Sequence, residues 1–388
     1  MYTDYPPAFW VLWVGTLINR LGEFVVPLLG FYLLNQRGLS VGQVSVILGA
    51  LGVGRFFAEG LGGGIIDRYG PASAMRLSLA GGAVLLALVP QAQGFWFLLL
   101  GILGYSLLTA LYKPASNTAV AELTTGEQRT RAYNLLYWAI NVGASVAPVL
   151  GGWLAGRSFR LVFYLDAATM FIYTLLLTRW FPQGIRPSTP HVSRRSLLPR
   201  DPLLGAFCVA SLLYGLTYQS YKMLALVFAQ QGYSAAQYGQ TLAVNGLLVV
   251  ILGLPLGHLT SKTNDSRWQV AGAALLGAGF LIHSFAHTLW VHLLAVVVWS
   301  LGEIVAYSIS KTIISELGPA TNRATYIGLV GSMSGLAALG APLLGGWLLT
   351  QFGAAVMWWV VAALSFVAAL VFLRLEQPLA ERRAHLTV

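Results

Sequence analysis

Apolar residues run along this chain in long blocks, without the alternation of a strand or the single stripe of a soluble helix. Stretches such as "LLLGILGYSLLTAL", "LLAVVVWSLGEIVAYSI" and "MWWVVAALSFVAALVFL" each belong to a window long enough to cross a bilayer, which takes about 20 residues in a helix. The pattern predicts twelve spans, at 8–34, 42–66, 74–93, 95–122, 131–156, 160–181, 203–230, 236–261, 267–286, 289–316, 324–350 and 354–375. Backbone in lipid must satisfy its own hydrogen bonds, so such a chain is expected to be an all-α integral membrane protein. The opening "MYTDYPPAFWVLW" has no basic leader and no small-residue cleavage site, so the first block is read as a retained span.

The blocks fall into two sets. "APVLGGWLAG" at 147–156 returns as "APLLGGWLLT" at 341–350, an offset of 194 residues. At that offset "QRGLSVGQ" meets "QQGYSAAQ", "GGIIDRYG" meets "GHLTSKTN", and "ELTTGEQR" meets "ELGPATNR". Four ungapped matches in order indicate a duplication. Ser40 and Ser234 each precede a span, with Gln43 and Gln237 three residues on, the spacing of a capping box. The expected organisation is a six-helix bundle at 1–181, a linker at 182–201 rich in Pro, Arg and Ser, a second six-helix bundle at 202–376 and a tail at 377–388. Six is even, so the halves share one orientation. Parallel repeats of this kind build transporters whose two bundles rock about a substrate site near the midplane.

Composition agrees: 57% of the 388 residues are hydrophobic and 9% charged, against about 25% charged in soluble domains. The net charge of +10 suggests nucleic acid until the basic residues are sorted. Of 23 Lys and Arg, 15 lie on the side of the N-terminus, linker and tail, three (Arg37, Arg157, Arg160) lie on the other, and five fall within spans. That asymmetry is the positive-inside bias and predicts cytoplasmic termini in a bacterial-type inner membrane. The excess then serves topology and contact with anionic lipid, and no nucleic-acid partner is expected. The single cysteine, Cys208, excludes an intrachain disulfide and a Cys-based metal cluster. No G-x-x-x-x-G-K-[ST] loop or H-E-x-x-H pair is present. His283, His287 and His292, at the expected outer end of spans 9 and 10, are read as interfacial residues. Neither cofactor, metal nor enzymatic activity is expected, and a monomer is.

Two stretches carry a family resemblance. After span 2, "GGIIDRYGPASAMR" resembles the G-x-x-x-D-R-x-G signature of the major facilitator superfamily, matched by Gly63, Asp67, Arg68 and Gly70. Pro71 and Ala72 stand where further basic residues are usual. The resemblance implies a gate latch at Asp67, with Glu122 or Arg131 nearby, and a twelve-helix fold of two pseudo-symmetric bundles. Span 5, "YWAINVGASVAPVLGGWL", is similar to the antiporter motif of drug/proton antiporters at Pro148, Gly151 and Gly152, with Ala147 in place of a glycine. Small residues plus proline make a thin, bendable face for close packing, although the echo in span 11 also fits symmetric packing. The "YWAIN" run, with Tyr137 and Asn141, is similar to lactococcal-type multidrug/proton antiporters, except that Leu136 replaces their acidic residue. It also resembles proton-coupled peptide transporters, whose first-helix signature of two glutamates and an arginine is absent.

Charges within spans cost roughly 3 kcal/mol each at a helix centre and mark functional sites by default. The set is Arg20, Glu23, Arg55, Glu59, Lys113, Asp166, Lys222, Glu303 and Lys311. Six of these nine fall on spans 1, 4, 7 and 10, the spans that line the cavity in the family. Trp299, Glu303, Tyr307 and Lys311 recur every fourth residue on span 10, one stripe. On span 4, Thr109, Tyr112, Lys113, Ser116 and Asn117 share a face, and the 194 offset superposes the two stripes. Span 7 adds Tyr214, Tyr218 and Tyr221. Glu303 is the first candidate for the proton carrier and Glu23 the second, with Arg20 one turn earlier able to hold Glu23 ionised. A static salt bridge from Glu303 to Lys113 or Lys222 is the competing reading. Arg55 and Glu59, at i and i+4, either gate or neutralise each other, and Asp166 is read as a structural cap or pairing partner towards the outer end of span 6.

The expected function is proton-coupled export of an amphipathic small molecule by alternating access, with protons, substrate and membrane lipid as partners. The five basic and four acidic residues within the spans keep a second reading open, a proton-coupled importer of an organic anion or peptide-like solute. A third is a non-transporting membrane sensor.

Overall fold

Burying a backbone in lipid leaves helices as the affordable local solution, and every regular element is helical in the computed structural model, which describes residues 5–182, 201–263, 266–317 and 323–386. The elements are α1 Pro7–Leu21, α2 Val25–Phe31, α3 Val41–Tyr69, α4 Pro71–Leu88, α5 Phe95–Thr109, α6 Tyr112–Leu123, α7 Gly126–Ala155, α8 Phe159–Trp180, α9 Pro202–Gln219, α10 Leu224–Gln230, α11 Ala235–Thr263, α12 Arg267–His283, α13 Leu289–Leu317 and α14 Arg323–Leu386. Among the described residues, nine helical runs are long and apolar enough to cross a membrane, and one of them, Thr325–Arg382, covers two apolar blocks. Those two are separated at Gly353, whose φ of 83° breaks the helix. Exposed Trp96 and Phe97 at the start of α5 and Trp290 at the start of α13 suit an aromatic belt at a membrane surface.

Helix starts follow the sequence signals. Ser40 and Gln43 form the full capping box of α3, the Gln43 amide donating to Ser40 Oγ and the Ser40 amide to Gln43 Oε1. Ser234 and Gln237 repeat it at α11. Between α3 and α4 the connection is a single residue, Gly70, with φ 79°. A side chain is strained at that angle, and Pro71 enters α4 at its first position, where a missing N–H costs nothing.

Three of the expected spans are interrupted. Span 1 divides at Gly22–Phe24 into α1 and α2, and span 4 divides at Ala110–Leu111 into α5 and α6. Proline causes both. A helical proline collides with the carbonyl four residues earlier and cannot bond to it. Pro27 points that conflict at Glu23, and Pro114 points it at Ala110. Span 7 passes through a 3-10 turn at Ser220–Met223 without a proline. There Ser220 Oγ donates back to the Leu216 carbonyl at 2.8 Å, a side-chain bond that competes with the helix ladder. The expected tail is also helical, since α14 continues to Leu386.

The chain divides into two compact units. One gathers α1–α8 with Phe228–Gly246, and the other gathers the chain from α9 to Val227 with Leu247 onward. The segment Phe228–Gly246 joins the first unit through backbone contact with α7. A Cβ on Gly239 would stand 2.1 Å from the Pro148 carbonyl oxygen, one on Gly152 2.6 Å from the Ala235 carbonyl oxygen, and one on Gly246 2.6 Å from Ser145 Cα. In the same unit α3 meets α5 where Gly54 N–H donates to Ser106 Oγ at 3.1 Å. In the second unit α12 meets α13 at Gly272, Gly279 and Gly302. Small residues at these crossings let the backbones approach.

At one end of the second unit Asp201 organises three elements. Its Oδ1 accepts from the Leu203 and Leu204 amides and so caps α9. Arg382 of α14 grips both carboxylate oxygens and also donates to the Leu317 carbonyl at the end of α13. Tyr326 donates to Oδ2 at 2.8 Å. Partial burial pushes the carboxyl up, but the bonds from Arg382 and Tyr326, the Arg382 charge and the capping amides outweigh it and hold the group at about 2. A carboxylate with a depressed native value stabilises the fold above its ordinary value and loses that contribution as pH falls. Arg382→Gln should therefore melt below the wild type at pH 7, and the gap should narrow between pH about 4 and about 2. Equal melting temperatures of the two proteins at pH 7 would show the clasp to be idle.

Candidate functional site

The first unit builds its polar centre at the break in span 1. Arg20, in the last turn of α1, forms an ion pair through Nη1 with Glu23 in the break itself. Their side chains are 24% and 34% exposed. Asp166 of α8 is 1% exposed, and its Oδ2 accepts the Val25 amide, the first of α2, at 3.0 Å. Gly22 makes the approach possible, because a Cβ there would stand 2.3 Å from Thr169 Oγ1 on α8. Arg20 Nε and Asn19 Oδ1 are buried without a hydrogen-bond partner, which marks space for a water or ligand group. Beside the cluster a closed hydroxyl network joins Thr16 to Tyr112 at 2.8 Å and Tyr112 to Tyr173 at 3.3 Å, and Tyr173 donates to the Leu12 carbonyl.

The proline break at span 4 changes the stripe expected there. Tyr112 and Ser116 are buried in the unit, whereas Lys113 and Asn117 are exposed. Tyr112 and Ser116 therefore serve the packing of the unit, and Lys113 and Asn117 are the accessible members of the expected stripe. On α7, Tyr137 is exposed and its carbonyl accepts from Asn141 Nδ2 at 2.7 Å, a bond within the helix. Gly151 packs against Phe24 and Leu28 of the broken first span, and Gly143 of the same helix lies against Arg20. Pro148 and Gly152 are taken up by the contacts with Ala235 and Gly239.

The second unit centres on Glu303 of α13. Tyr218, in the last turn of α9 beside the 3-10 turn, donates its hydroxyl to Glu303 Oε1 at 2.7 Å. The rings of Tyr218 and Tyr221 lie 5.8 Å apart, and Tyr214 is within electrostatic reach of Glu303. Lys222 occupies the 3-10 turn. Trp299 does not extend this stripe. It is 2% exposed and stacks on Phe280 at 5.9 Å, and its Cβ and backbone lie against Gly279 of α12. The side chains of Tyr307 and Lys311 lie outside the described residues.

At the turn between α3 and α4, Asp67 is half-buried and Arg68 exposed, its guanidinium over the Tyr69 ring. Glu122 ends α6 and Arg131 lies in the second turn of α7. Arg55 is exposed, while Gly63 and the side chain of Glu59 lie outside the described residues.

Two clusters depart from their sequence readings. Asp166 does act as a cap, as expected, but it caps the interior break of span 1 beside Arg20 and Glu23. The visible signal was a lone acid in an otherwise apolar span 6, together with Pro27 in span 1. The histidines are not interfacial as a group. His283 and His292 are buried with their Nδ1 atoms 2.9 Å apart, while His287 is exposed. The chain reverses between α12 and α13, which brings residue 292 rather than 287 to His283. Among the described residues no three His, Cys, Asp or Glu gather as a metal site would require.

The sequence profile of the Major Facilitator Superfamily matches residues 12–228 and again 206–387. The chain is 24% identical over 383 residues to the uncharacterised MFS-type transporter YqjV of Bacillus subtilis, covering 95% of this chain and 93% of that one. It is 26% identical over 348 residues to the multidrug resistance protein MdtH of Salmonella arizonae, covering 87% and 85%. A POT family transporter crystallised with 5-aminolevulinic acid superposes with a TM-score of 0.84 at 14% identity over 98% of each chain, which shows a shared fold.

Proposed function

The chain belongs to the major facilitator superfamily, and we propose that it is a twelve-helix, proton-coupled exporter of amphipathic small molecules working by alternating access. The observation that carries this reading is the Glu303–Tyr218 hydrogen bond. It pairs an acid within a membrane span with an aromatic group that can also meet a lipophilic solute, and tyrosines 214 and 221 lie beside it. Such an acid can exchange a proton for a substrate. The relationship to a protein named for multidrug resistance supports export. The latch falls to Asp67, Arg68 and Gly70, with Glu122 and Arg131. The basic bias of the loops supports cytoplasmic termini in an inner membrane, and the protein acts as a monomer.

One observation favours a second reading. The buried, unpartnered Arg20 Nε and Asn19 Oδ1 suit an anionic or zwitterionic solute, as a proton-coupled importer would carry. Thermal stabilisation of the purified protein by tetraphenylphosphonium and by a panel of organic anions, at pH 6 and pH 8, separates the two. Stabilisation by the cation, stronger at pH 8, is expected for an acidic site at which proton and substrate compete. Stabilisation by anions alone, stronger at pH 6, would replace the exporter with the importer.

A further inference from the structure

The break in span 1 holds two carboxylates and one guanidinium. Arg20 and Glu23 already neutralise each other through a direct ion pair. Asp166 is the third member, and it is far more buried than either, at 1% exposure. If both acids are ionised the cluster carries one uncompensated negative charge, and an unpaired ion away from water costs several kcal/mol. One bound proton removes that charge. It cannot sit on Glu23 without breaking the ion pair and leaving Arg20 unpaired, whereas Asp166 gives up only part of its interaction with a backbone amide.

Among the described residues, Arg20 is the one cation recorded as acting on Asp166. The charged or titratable groups acting on it are Arg20 and Glu23 from the break and Tyr105 from α5. The helix α2 and the α7 segment from Ala132 to Ala155 contain no charged residue, and the only one on α4 is Arg76.

We propose that Asp166 is the proton site of the first bundle and that its protonation state controls the break in span 1. Ionised, the carboxylate holds the Val25 amide and fixes α2 against α8. Protonated, it accepts that bond as a neutral group, and α2 is freer to move relative to α1. This deepens the proton-coupled reading above and rests on it for its role in transport.

The test reads proton binding directly, so that it does not depend on transport. In the full-length Glu303→Gln protein, which lacks the other candidate acid, infrared difference spectra across a pH titration should show the carbonyl stretch of a buried carboxylic acid. Adding Asp166→Asn should abolish that titrating band, and adding Glu23→Gln should leave it. A band that survives Asp166→Asn, one that is lost with Glu23→Gln, or no titrating band in the parent would each overturn the assignment. Should Asp166→Asn fail to fold, Asp166→Glu should move the titration midpoint of the band, and an unmoved midpoint would overturn it equally. If the band behaves as expected but reconstituted protein shows no proton-coupled flux, the site stands and the transport reading falls.

Discussion

Glu303→Gln is expected to abolish gradient-driven transport while leaving the protein folded. The amide keeps a carbonyl oxygen where Glu303 Oε1 accepts from Tyr218 at 2.7 Å, so the contact between α9 and α13 survives. What is lost is the ability to be charged in one state and neutral in the other. With one proton exchanged per substrate, a pH gradient of one unit supports about tenfold accumulation, equal to about 1.4 kcal/mol. In proteoliposomes loaded with a solute chosen by the stabilisation panel, the variant should bring the inside-to-outside ratio to parity, while exchange of labelled for unlabelled solute continues. Tyr218→Phe makes a useful companion, since it removes the donor and keeps the acid. It should retain coupling with a shifted pH dependence. Wild-type accumulation by Glu303→Gln would remove Glu303 from the proton path.

Gly239→Ala is expected to destabilise the protein although it adds one methyl group. That methyl would stand 2.1 Å from the Pro148 carbonyl oxygen and 2.9 Å from its carbon, and a backbone carbonyl inside a helix has no rotamer to escape into. Overpacking of this kind costs about 1–3 kcal/mol. The same substitution at Gly253, on the same helix with nothing within 4 Å, should be neutral or stabilising by up to about 1 kcal/mol through helix propensity. Melting temperatures of the two variants in one detergent decide the matter. Equal stability would mean that α7 and the start of α11 are not in backbone contact.

Much of this architecture is written locally and was therefore legible. The apolar blocks, the capping boxes at Ser40 and Ser234, and the repeat at 194 residues each depend on neighbours within one helix or on comparison of the chain with itself. The signature at Asp67, Arg68 and Gly70 and the proline–glycine face of span 5 are equally local, and they carry the resemblance to the superfamily in the sequence itself. The interruptions at Glu23 and Ala110 were also legible, since Pro27 and Pro114 each stand four residues downstream, but hydropathy counts a proline-broken span as readily as an intact one.

Other features could be decided only by tertiary packing. Trp299 and Glu303 share a sequence stripe, yet the backbone of α13 closes on α12 at Gly279 and the Trp299 indole stacks on Phe280 in the core, while Tyr218 engages the acid. His283 meets His292 and not His287 because the chain reverses between them. Asp166 is a lone acid in the sequence of span 6. Its place beside Arg20 and Glu23 follows from Gly22, whose missing side chain lets α8 close on the broken helix. Periodicity assigns a residue to a face of its own helix, but which neighbour meets that face depends on where backbones can approach, and that is set by the three-dimensional arrangement of small residues on other helices.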